Sequence, residues 1–82
     1  MPAAATQETV ETTIFDAIAK LGPEPDDVTR DATFESLDVD SLDLVEVAQV
    51  VEEEFGVVLK GEDMEKLNTV GDAIDLVVAR AS

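Results

Sequence analysis

Leu44, Val47, Ala48, Val51 and Phe55 fall on one side of a helix when the chain advances about 100° per residue, and Gly56 follows directly. This stripe constrains the fold most, because an element of that period must bury one face against other helices. Two more stretches repeat the pattern. Val10, Ile14, Ala17, Ile18 and Leu21 mark an amphipathic helix from Thr6 onward, closed by Gly22, Pro23 and Pro25. Val70, Ala73, Ile74, Val77 and Val78 mark another, with Thr69 as its cap and Asp72 three residues on. GEDMEKL supports a short third helix with Met64 and Leu67 turned inward, and Val57 to Leu59 reads as an apolar connection. The expectation is an all-α fold: a small four-helix bundle with three longer helices, one short third helix and a long first loop.

That loop, GPEPDDVTRDATFESLDVD, holds two prolines and many turn formers, and Val28, Phe34 and Leu37 are positioned to tack it to the core. Eighty-two residues predict a single domain over residues 1–82, with 1–5 as a flexible leader. An apolar content of 45% argues against disorder, while 4% aromatics leaves the core to Val, Leu, Ile and Ala.

Charge excludes several function classes. Twenty acids against five bases give a net charge of −15, which disfavours nucleic acid and anionic membrane as partners. A basic protein surface is the natural complement. Without cysteine the polypeptide has no disulfide, thiolate metal site or thiol chemistry of its own. MPAAATQE has neither a basic n-region nor a long apolar run, so a cytoplasmic protein with no signal peptide or membrane span is expected.

The stretch LDVDSLDLVEV, residues 37–47, places Ser41 at the mouth of the second helix. Asp38, Asp40 or Ser41 can cap that helix, with Asp43 three residues after Asp40. Opposite the core stripe lie Leu42, Val45, Glu46, Gln49 and Glu53, two aliphatics fringed by acids beside a serine, which reads as a docking face. Glu52, Glu53 and Glu54 sit near the helix C-terminus, where negative charge is unfavourable, and so point to recognition. Catalysis by Ser41 is disfavoured because the chain has no histidine and no lysine close to Ser41 in sequence. A calcium loop counted from Asp38 fails at Leu42, Asp43 and Gln49, so no metal ligands are assigned. Ser41 is left as a plain helix cap or as an attachment point.

LDVDSLDLVEV, with Asp40-Ser41-Leu42 at its centre, resembles the phosphopantetheine attachment region of acyl carrier proteins. The resemblance continues through EEEF at 52–55 and NTVGDAI at 68–74, and covers nearly all of residues 7–80. It implies that Ser41 carries 4′-phosphopantetheine taken from coenzyme A, on whose thiol acyl chains ride as thioesters. It further implies recognition of Asp40 by a phosphopantetheinyl transferase. Leu42, Val45, Glu46, Gln49, Glu52 and Glu53 become positions for partner enzymes with basic docking surfaces. Family interiors shelter the acyl chain. Gln49 stands where the family often has Met, Leu44 where a polar residue is common, and Lys60-Gly61 where Pro-Asp often opens the third helix. LDVDS lacks the Gly-Gly pair favoured by peptidyl carrier domains. The resemblance therefore points to a non-enzymatic, monomeric carrier of a dissociated fatty-acid system, with type II polyketide synthesis as the alternative. From another class, the alternative is a small acidic interaction module binding divalent cations.

Overall fold

Thr6 opens the first helix as the sequence leads one to expect: its side chain accepts the Thr9 N–H at 3.2 Å, and Thr9 Oγ1 accepts the Thr6 N–H at 3.1 Å. A computed structural model describes residues 6–81, so the expected leader at 1–5 lies outside the described residues. The helices are α1 (Gln7–Ala19), α2 (Ser41–Phe55), α3 (Gly61–Glu65) and α4 (Val70–Ala81). This is the small all-α bundle read from the sequence, with three longer helices and one short one. Among the described residues there is no strand, and one isolated bridge pairs Thr33 with Thr69.

α1 packs on both α4 and α2. It contributes Val10, Ile14 and Ile18 to the core, which meet Val47, Val51 and Phe55 of α2 and Val70, Ala73, Ile74 and Val77 of α4. α1 stops before Leu21: Lys20 is its C-cap, and Gly22 then takes φ 133°, a conformation that side chains rarely adopt. Gly56 ends α2 at φ 71° in the left-handed region, and its N–H donates to the Glu52 carbonyl. At α4, the Asp72 N–H donates to Thr69 Oγ1 and the Thr69 N–H to Asp72 Oδ2, both at 3.1 Å.

The long first loop is fastened rather than loose. Val28, Phe34 and Leu37 are buried as anticipated, and Val39 joins them. Backbone bonds from Phe34 N–H to the Asn68 carbonyl, Val70 N–H to Ala32 and Gly71 N–H to Arg30 tie the loop to the start of α4. Arg30 adds Nη2 to Asp75 Oδ1 at 2.9 Å and Nη1 to Glu11 Oε2 at 3.7 Å, bridging the loop to α4 and α1. Pro25–Asp27 forms one turn of 3₁₀ helix, which the proline at its first position favours. Several stripe positions are only half-buried, among them Ala17, Leu21, Leu44, Met64, Leu67 and Val78. Leu44 and Met64 line an open hollow, and Leu44 also packs against the core.

Candidate functional site

The segment before α2 is wound so that it aims the helix mouth outward. Leu37 and Val39 are both buried, and the intervening Asp38 takes the left-handed region at φ 57°, which an aspartate tolerates better than most residues. The Val39 N–H donates to the Phe34 carbonyl at 2.9 Å and Ser36 Oγ to the Thr33 carbonyl at 2.8 Å. Two buried anchors and a tight turn therefore deliver Asp40 to the start of α2 in an extended conformation.

Of the three candidate caps, Asp40 takes the role. Its Oδ1 accepts the Asp43 N–H at 2.9 Å, and Asp43 Oδ2 accepts the Asp40 N–H at 3.4 Å. Ser41 is thus the first residue of the helix and is exposed, with its hydroxyl outside the cap. The helix dipole places partial positive charge at that end, where an anion such as a phosphodiester is favoured.

Beside Ser41 lies a hollow of about 280 Å³, lined by Ser41, Leu42, Leu44 and Val45 of α2 and by Gly61, Met64 and Glu65 of α3. Its walls are mostly aliphatic or thioether, so it suits an apolar chain better than an ion. Sequence reasoning missed the α3 half of this hollow; Met64 was legible as apolar, but its facing Ser41 depends on how α3 packs. A larger groove, about 540 Å³, lies between α1 and α2 on the other flank of α2, with Glu46, Val50 and Glu54 along one side.

The structure brings the remaining candidates onto the outer side of α2. Asp40, Leu42, Val45, Glu46, Gln49, Glu52 and Glu53 are all exposed, Leu42 at 76% and Val45 at 41%. α2 carries no basic residue, so these acids are uncompensated on their own helix. Among the described residues no group of three or more His, Cys, Asp or Glu side chains is placed to hold a metal ion. No described helix is long and apolar enough to cross a membrane.

Residues 9–77 match the family model described as the phosphopantetheine attachment site. The chain belongs to this family. Its prosthetic group is 4′-phosphopantetheine, attached covalently, and the protein is a phosphopantetheine-bearing carrier. Carrier domains of the family are typically non-catalytic, and they interact with a phosphopantetheinyl transferase and with synthase enzymes.

The residues present fit that group. An exposed hydroxyl at a helix N-terminus offers a point of attachment where negative charge is tolerated, and the neighbouring hollow offers apolar walls. When bound, the group supplies the thiol that a cysteine-free carrier lacks and so allows thioester chemistry.

Proposed function

We propose that this protein is an acyl carrier protein in which Ser41 bears the 4′-phosphopantetheine arm, and that it delivers acyl thioesters to the enzymes of fatty acid biosynthesis. The observation that carries this reading is the division of labour at the start of α2. Asp40 caps the helix, leaving an exposed serine at its first position beside an apolar hollow. A serine retained only for capping would occupy the position that Asp40 fills.

In this reading the carrier performs no chemistry of its own and works in the cytoplasm. The chain contains no histidine, so the base that deprotonates Ser41 comes from the transferase. Asp40 is read by that transferase. Leu42, Val45, Glu46, Gln49, Glu52 and Glu53 form the surface that basic partner enzymes contact, apolar at its centre and acidic at its rim.

Intact-mass measurement tests the central claim. Incubation with coenzyme A and a broad-specificity transferase should add one phosphopantetheine to the wild-type chain and none to Ser41→Ala, which should keep wild-type helical circular dichroism. Modification of the alanine variant would move the attachment point elsewhere. A wild-type chain left unmodified by several transferases would remove the support for Ser41.

A further inference from the structure

Asp63 is the one charged side chain buried among the described residues, at 7% exposure. Two groups hold it. The Lys60 N–H donates to Oδ2 at 3.0 Å. Arg80, in the last turn of α4, donates from Nη1 to Oδ2 at 2.9 Å and from Nη2 to Oδ1. Arg80 Nη1 also reaches the Val58 carbonyl at 3.4 Å, in the connection leading into α3. A guanidinium binding both oxygens of a carboxylate is among the stronger and more directional polar contacts a protein makes.

Within α3 itself little else holds it, although Leu59 and Leu67 on either side pack against the core. The helix spans five residues, starts on a glycine and lies far below the length at which a helix persists alone. Its apolar residue Met64, and Leu67 just beyond, are only half-buried. Yet Gly61, Met64 and Glu65 form one wall of the hollow beside Ser41. At about 100° per residue those three share one side of α3, and Asp63 stands on the other. The pair therefore pulls α3 from behind the wall it presents to the hollow.

We propose that Arg80 and Asp63 are positioning residues: their ion pair latches α3 to the end of α4 and so sets the width of the hollow beside Ser41. The consequence for a bound chain rests on the Ser41 reading; the latch itself does not. With the pair intact, the hollow keeps its narrow form and shelters what it holds. With the pair broken, α3 swings away and its contents meet solvent.

Four variants of the full chain separate this from general stabilisation. Asp63→Asn keeps an acceptor for the Lys60 N–H and removes the charge. Arg80→Met keeps the apolar stem, and Arg80→Lys keeps the charge without the two-pronged geometry. Arg30→Met breaks the other guanidinium tether, to Asp75, away from the hollow. Amide hydrogen exchange on the unmodified proteins should show residues 61–67 exchanging on the order of tenfold faster in Asp63→Asn and Arg80→Met. Amides of α1 should stay unchanged, Arg80→Lys should lie between, and Arg30→Met should leave 61–67 as in wild type. No change at 61–67, or an equal rise along the whole chain, overturns the latch.

The second readout loads Ser41 from octanoyl-coenzyme A and follows thioester cleavage by hydroxylamine with intact mass. Cleavage should be severalfold faster in Asp63→Asn than in wild type or Arg30→Met. Equal rates in all three overturn the claim that the pair shapes the hollow. A wild-type chain that accepts no arm overturns the Ser41 reading instead, and the exchange experiment then decides the latch alone.

Discussion

Asp40 has two candidate roles, helix cap and recognition element, and a pair of substitutions can pull them apart. Asparagine caps as well as aspartate, whereas alanine does not. Asp40→Ala removes the 2.9 Å bond from the Asp43 N–H and leaves the 3.4 Å return bond, which is long and contributes little. The expected loss is about 1 kcal/mol. In a domain of this size that lowers the melting temperature by roughly 4–8 °C. Asp40→Asn keeps the bond and loses only the charge–dipole interaction, about 0.3–1 kcal/mol, which relief of repulsion from Asp38 and Asp43 partly offsets. It should melt within a few degrees of wild type.

The transferase assay reads the other role. A domain stable by about 5 kcal/mol or more stays almost wholly folded after losing about 1 kcal/mol, so destabilisation alone cannot slow modification appreciably. If the transferase reads the carboxylate, both variants should lose on the order of tenfold or more in kcat/KM, since an unpaired partner charge typically costs about 2 kcal/mol or more. Thermal melts and initial modification rates, measured on the same preparations, give both numbers. An asparagine variant modified as fast as wild type refutes the recognition role. One that melts as low as the alanine variant refutes the assignment of Asp40 as the cap.

Asp63 is held below the ordinary carboxylate value of 3.8, first by hydrogen bonding to Arg80, and Asp72 by the N–H groups of Thr69 and Asn68. The stability these depressed groups add is complete above that value and is lost as pH falls through their folded values, so melts between pH 5 and pH 2 should steepen in acid, and less so in Asp72→Asn. Like-charge crowding at a net charge of −15 should make the fold weaker at low ionic strength, so added salt, and millimolar magnesium above all, should raise the melting temperature; a flat response would make the repulsion unimportant. Reversing Glu46 and Glu53 to Lys should slow association with a basic ketosynthase or transferase and flatten its salt dependence, while Leu42→Ala should shorten the lifetime of the complex, both read by stopped-flow binding.

The helices were legible because their signals are local. A stripe of period 3.6, a cap with an acid three residues on, and a glycine at C′ each act within a turn or two, which is why Gly56 and Thr69 sit where the sequence puts them and why Asp40 was among its three candidate caps. The outward placement of Leu42 and Val45 followed from the same arithmetic. What stayed hidden depends on contacts distant in sequence. Nothing local says that Arg30 reaches Asp75, that Arg80 reaches Asp63, or that Val39 turns inward past an Asp38 in the left-handed region. Leu44 shows the limit within a helix: it lies on the core side by angle, yet the short α3 leaves it half-covered at the rim of the hollow.

Those hidden contacts also arrange the charge. Three of the five bases form ion pairs: Lys20 with Asp16 on the surface of α1 at 3.2 Å, Arg30 with Glu11 and Asp75, and Arg80 with Asp63. The other two, Lys60 and Lys66, bracket α3. None falls on α2, where Asp43, Glu46, Glu52, Glu53 and Glu54 stand together. Arg30 and Arg80 hold the loop and α3 in place, while the helix that begins with Ser41 carries acids and no base of its own. At physiological salt the field of those acids reaches about 8 Å, enough to orient a basic partner as it approaches the attachment end. Placement rather than total charge should therefore govern the encounter. Glu8→Lys with Glu24→Lys changes the net charge as much as reversing Glu46 and Glu53, but at exposed positions outside α2. The two pairs should differ severalfold in association rate at low salt, and equal slowing would mean that the partner senses only the overall charge.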